Sequence, residues 1–64
     1  MDWADFLAIM RLDEEAAHAK YLAAAERAAD PRVREVLERL AYEEEIHVGV
    51  LQKEAERLQA LRGR

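Results

Sequence analysis

The chain contains no cysteine, which removes disulfides, thiolate metal sites and thiol redox chemistry together. Proline occurs once, at Pro31, and glycine twice, at Gly49 and Gly63, so the frequent turns that a strand-rich fold requires have no source. No stretch approaches the roughly 18 consecutive apolar residues of a membrane span. The opening residues Met1-Asp2-Trp3-Ala4-Asp5 lack the basic segment of a secretory leader. These absences predict a soluble, cytoplasmic protein with no membrane partner. A basic face is also missing: 10 Lys and Arg are interleaved with 14 Asp and Glu, for a net charge of -4. Nucleic acid is therefore excluded as a partner, because phosphate recognition needs clustered positive charge.

What remains is helix-forming. Ala, Leu, Glu and Arg dominate, the composition of an all-α protein. A chain of 64 residues buries little over half of the surface its unfolded form exposes, so one small domain needs a metal, a partner or both to be stable. Asp2 is placed to cap a first helix over about residues 2–29, with Asp5 adding negative charge to its first turn. Asp30-Pro31 then reads as a restart, an N-cap followed by a proline at the first helical position. A second helix runs over about residues 31–61, where Arg57, Arg62 and Arg64 suit the dipole and Gly63 frays the end.

The apolar pattern distinguishes two helices from one kinked helix. On the first, Trp3, Leu7, Met10, Glu14, Ala17, Tyr21, Ala24 and Ala28 alternate steps of four and three. Continuing that step would reach Pro31, Glu35 and Glu38, whereas the second seam is Val33, Leu37, Leu40, Glu44, His47, Leu51, Glu54, Leu58 and Leu61. The phase breaks at the restart signal, so the fold predicted is an antiparallel two-helix hairpin with a very short connection.

Polar residues interrupt the seams at few points, and three of them fall at one height. Counted from Asp30, Glu14 lies 16 residues back and Glu44 and His47 lie 14 and 17 residues forward, roughly 20 to 25 Å from the turn on either helix. Glu44-x-x-His47 sets two ligands one turn apart on a single face. Glu14, Glu44 and His47 are thus candidate metal ligands. A two-fold partner doubles them to four carboxylates and two histidines, and two divalent cations neutralise the four carboxylates, which would be costly to bury unpaired. An oxygen and nitrogen donor set without sulfur suits iron or manganese, and other divalent metals also bind such a set. Glu54 has no partner at its level and reads as a bundle-end residue. Trp3 and Tyr42 read as packing or interface aromatics, and Glu43 and Glu45 as solvated charge.

Glu14, Tyr21 seven residues on, Asp30-Pro31 and Glu44-x-x-His47 together resemble the half-repeat of the ferritin and rubrerythrin superfamily. In that superfamily each helix pair supplies one glutamate and one Glu-x-x-His motif. The chain is most similar to the encapsulated ferritins, whose two-helix chains dimerise to build the iron site. The resemblance implies a ferritin-like four-helix bundle made by a homodimer or a higher even-numbered assembly such as a ring. It implies two irons per dimer held by Glu14, Glu44 and His47, with Glu44 bridging. Tyr21 would be a nearby phenol, His18 a residue orienting Glu14 or meeting metal in transit, and Asp13 a remnant of an acidic uptake site. The implied activity is ferroxidase, oxidation of Fe(II) to Fe(III) by dioxygen for iron storage or detoxification. An encapsulin shell is the further implied partner and its nanocompartment the implied location, although Leu58 to Arg64 has no clear counterpart of the usual docking peptide. Two other classes of reading stay open: a metal-binding structural or oligomerisation module without significant turnover, and a metal-free helical assembly.

Overall fold

In the computed structural model, which describes residues 1–62, two helices fold back on one another: α1, Trp3–Arg27, and α2, Pro31–Arg62. The expected ends at Gly63 and Arg64, including the last residues of the segment compared with a docking peptide, lie outside the described residues. Asp2 caps α1, its Oδ1 accepting from the Ala4 N–H at 3.0 Å and the Asp5 N–H at 3.4 Å. Asp30 caps α2 in the same way, accepting from the N–H groups of Arg32 at 2.8 Å and Val33 at 3.1 Å. Both caps satisfy donors that a helix start otherwise leaves unpaired. Arg34 reaches back across the turn and donates to the Ala28 carbonyl from Nη2 at 2.7 Å and Nε at 3.2 Å. The carbonyl of the α1 C-cap, Ala28, is thereby tied to the first turn of α2, which fixes the chain reversal.

The hairpin measures 52 × 15 × 13 Å, with a radius of gyration of 15.0 Å, against about 11 Å for a compact chain of this length. A rod of two helices has little interior. Among the described residues the buried side chains are all alanine: Ala4, Ala25, Ala41 and Ala55. They lie on lines of sevenfold spacing, Ala4, Arg11, His18 and Ala25 on α1 and Ala41, Val48 and Ala55 on α2. Alanine lets the two backbones approach closely. His18 exploits that approach, its Nδ1–H donating to the Ala41 carbonyl oxygen at 2.7 Å across the interface.

The apolar seams read from the sequence are therefore not the lines on which the helices meet. Leu7, Glu14, Tyr21 and Ala28 sit about half a right angle around α1 from the alanine line, and Trp3, Met10, Ala17 and Ala24 about a right angle. On α2 the same offsets hold for Leu37, Glu44, Leu51 and Leu58, then for Val33, Leu40, His47, Glu54 and Leu61. Leu7, Leu37, Leu51 and Leu58 at the smaller offset are half-buried, as are Met10 and Leu40 at the larger, whereas Trp3, Val33 and Leu61, near the ends of the rod, are exposed. Because the helices run antiparallel, equal rotations in one sense turn both seams to the same side. One long side of the hairpin thus carries the apolar residues that a second layer would cover.

Ala41 is 1 % exposed, so Ala41→Leu is expected to force the helices apart at about 1–3 kcal/mol, the usual range for overpacking. It also pulls the carbonyl away from His18. A urea midpoint equal to that of the unaltered chain would show that the helices do not meet here.

Candidate metal centre

Two elements supply the centre. Glu14 comes from the middle of α1, and Glu44 and His47 come from α2 one turn apart, at the same height because the capped turn fixes the register of the hairpin. One ligand atom from each of the three lies within 4.8 Å of the others. Nδ1 of His47 stands 3.4 Å from Oε2 of Glu14 and 3.8 Å from Oε2 of Glu44. The first of these contacts spans 33 residues of sequence, so the hairpin itself assembles the group.

The donors fit a metal ion. Ligand bonds of about 2.0–2.2 Å place donors on opposite sides of an ion at up to about 4.4 Å, so a few tenths of an ångström of side-chain rotation closes this set around one cation. Carboxylate oxygens and an imidazole nitrogen suit iron, manganese or zinc. Three protein ligands leave coordination positions open, and the exposures of the side chains show where: Glu44 is 18 %, Glu14 31 % and His47 55 % exposed. Exposure increases toward the seam side of the hairpin, so the open positions face the side that lacks a covering layer.

The remaining site candidates are distributed around this group. His18 is bonded to the Ala41 carbonyl, and that contact assigns its proton to Nδ1. No hydrogen bond joins His18 to Glu14 among the described residues. Tyr21 is half-buried two turns beyond Glu14, and its hydroxyl has no hydrogen-bond partner among the described residues. Asp13 is exposed and lines a shallow surface hollow with Ala16, Ala17, Lys20 and Tyr21. Glu54, read as a bundle-end residue without a partner at its level, pairs along its own helix: Arg57 donates to its Oε1 from Nε at 2.9 Å and from Nη2 at 2.5 Å. That hydrogen bond holds the Glu54 carboxyl below the usual carboxylate range, which favours a local ion pair over a metal ligand. Sequence reasoning passed over Arg11, one turn before Glu14 and Glu15. It occupies an inward position on the alanine line, its Nε is buried without a hydrogen-bond partner and it stands 3.6 Å from Glu15. The sevenfold spacing Ala4, Arg11, His18, Ala25 was its only signal.

An antiparallel helical hairpin with two carboxylates and a histidine together at mid-length has the arrangement of half a ferritin-like bundle. The sequence model of the rubrerythrin family matches residues 5–62, nearly the whole chain, and the chain belongs to that family. Rubrerythrin-family domains bind iron and are generally of the di-iron oxidoreductase kind. No curated protein and no solved structure matches the chain. No helix among the described residues is long and apolar enough to cross a membrane.

Proposed function

We propose that two copies of this hairpin close their seam sides on each other and oxidise Fe(II) to Fe(III) with dioxygen at the site they share. The observation that carries this reading is the convergence of Glu14, Glu44 and His47 on the seam side of the hairpin, where Leu7, Met10, Tyr21, Leu37, Leu40 and Leu51 are only half-buried. One copy supplies two carboxylates and one imidazole; two copies supply enough to hold two Fe(II) ions as substrate, with the charges balanced. Each Fe(II) gives one electron, and dioxygen takes the pair.

The roles of the chain's residues follow from their placement. Glu44, the least exposed ligand, stands deepest and is positioned to bridge. Glu14 grips from the opposite helix, so the ion spans the hairpin. His47, the most exposed, reaches toward the second copy. His18 holds the two helices at the spacing that keeps Glu14 opposite Glu44. The covering layer excludes bulk water from the ligands and strengthens their hold on the cations.

Anaerobic addition of Fe(II) to the full chain, followed by oxygen, tests the reading. A ferric absorbance that rises with protein and saturates near one Fe per chain is expected. Fe(II) that binds but oxidises no faster than in buffer alone would move the protein to a metal-locked structural module.

A further inference from the structure

The chain has two methionines, and they stand in opposite surroundings. Met1 is 88 % exposed. Met10 is half-buried on the α1 seam, one turn before Glu14, a spacing that sets Cβ atoms about 5–6 Å apart. Helical side chains lean toward the N-terminus, so the Glu14 carboxylate leans over the turn that carries Met10. Met10 also shares the flank of His47, the one toward which the open positions of the metal centre face.

Packing does not ask for sulfur at this position. Leucine matches methionine in size and helix preference, and it serves elsewhere on the seams at Leu7 and Leu40. What the thioether adds is chemistry, since it takes an oxygen atom from a peroxide in a two-electron step. The phenol of Tyr21, the other oxidisable side chain on this seam near the centre, gives up single electrons instead.

The proposed reaction puts a source of peroxide beside that sulfur. Two Fe(II) ions give one electron each, and dioxygen with that pair and two protons from water becomes hydrogen peroxide. Under the covering copy it forms in a layer closed to bulk solvent, next to Met10. The sulfur lone pair attacks one peroxide oxygen: an S–O bond forms, the O–O bond breaks, and the second oxygen leaves with both protons as water. Sulfur loses two electrons in becoming the sulfoxide, and the peroxide gains them. Met1, in open solvent, is the better target for peroxide that arrives from outside.

We infer that Met10 is an oxidation site of this chain, its thioether accepting an oxygen atom from hydrogen peroxide made at the adjacent metal centre. The inference rests on the proposed oxidation of Fe(II) and concerns the fate of the reduced oxygen. Capture at Met10 removes peroxide before further Fe(II) can reduce it to hydroxide and a hydroxyl radical. It also sets a polar sulfoxide in an apolar seam, which weakens the packing there.

The test loads the full chain anaerobically with one Fe(II) per chain, admits dioxygen enriched in its heavy isotope, and locates sulfoxide by tandem mass spectrometry. Catalase in the solution destroys peroxide that escapes. Met10 is expected to carry the heavy label at least tenfold above Met1, in up to about half of the chains per loading, because two Fe(II) make one peroxide. Peroxide added to the metal-free protein without catalase should invert the order, with Met1 oxidised first. Met10→Leu should leave the ferric absorbance unchanged and, without catalase, raise the peroxide released at least twofold. Four results overturn this inference alone: a ferric absorbance with no labelled Met10, equal labelling of the two methionines, Met10 oxidised first by added peroxide, or unchanged peroxide release from Met10→Leu. Failure of the ferroxidase reading is seen separately, as Fe(II) oxidation no faster than in buffer, and it overturns both.

Discussion

Glu14→Leu is expected to abolish Fe(II) oxidation while leaving the metal-free protein as stable as before or more so. The reason lies in where Glu14 sits. Its side chain is 31 % exposed, on a seam whose neighbours Leu7, Met10, Ala17 and Tyr21 are apolar and half-buried. Under a covering second copy, four carboxylates share one poorly solvated layer and repel one another, a cost that only bound cations remove. Leucine at this position extends the apolar seam and removes one of those charges from each chain. The contact in which Glu14 Oε2 accepts from His47 Nδ1, at 3.4 Å, is too long and too exposed to offset that gain. The checks are an oxygen-dependent ferric absorbance that stays at the buffer rate and a metal-free melting temperature that does not fall. A variant that melts well below the parent without metal would identify Glu14 as a structural partner and favour the metal-free assembly.

Divalent metal should shift the stability of the unaltered chain by an amount that a surface site would not produce. A ligand that binds only the native state stabilises it by about 2.7 kcal/mol at 100 times its dissociation constant. A domain of this size gains about 4–8 °C per kcal/mol, so saturating metal raises the melting temperature by about 10 °C or more. The hairpin is sensitive to such a term because its own buried side chains are alanines, each worth little area. Glu14→Leu should show hardly any shift under the same conditions. Differential scanning calorimetry with and without metal separates the two, and equal shifts in parent and variant would place the metal elsewhere on the chain.

Much of this architecture is legible in the sequence because it is written in local rules. Asp2 and Asp30-Pro31 mark helix starts through backbone donors only a few residues away, and the helices begin where those signals lie. The site is legible for a related reason: with a short turn, equal counting along two helices is equal height, and Glu14, Glu44 and His47 do converge. The line on which the helices meet was hidden. It is made of alanines, which carry almost no hydropathy contrast, and it includes Arg11 and His18, which no apolar pattern assigns to an inner face. The stronger signal came from the large residues of the seam, and these mark the uncovered side of the hairpin. His18 escaped for a further reason, since its partner is a backbone carbonyl on the other helix and carbonyls have no signature in a sequence.

The open end of the hairpin has a bearing on how this unit can be joined to a copy of itself. Arg62 forms an ion pair with Asp2, so both ends of the described chain emerge at the same pole of a rod 52 Å long. If two hairpins lie side by side with their poles aligned, a few residues suffice to splice them into one polypeptide. If they lie head to tail, the splice must run the length of the rod, which takes about fifteen residues fully extended at roughly 3.4 Å each. Tandem duplication of such a unit is therefore not neutral with respect to orientation: the length of the inserted connector selects which of the two pairings a single chain can reach.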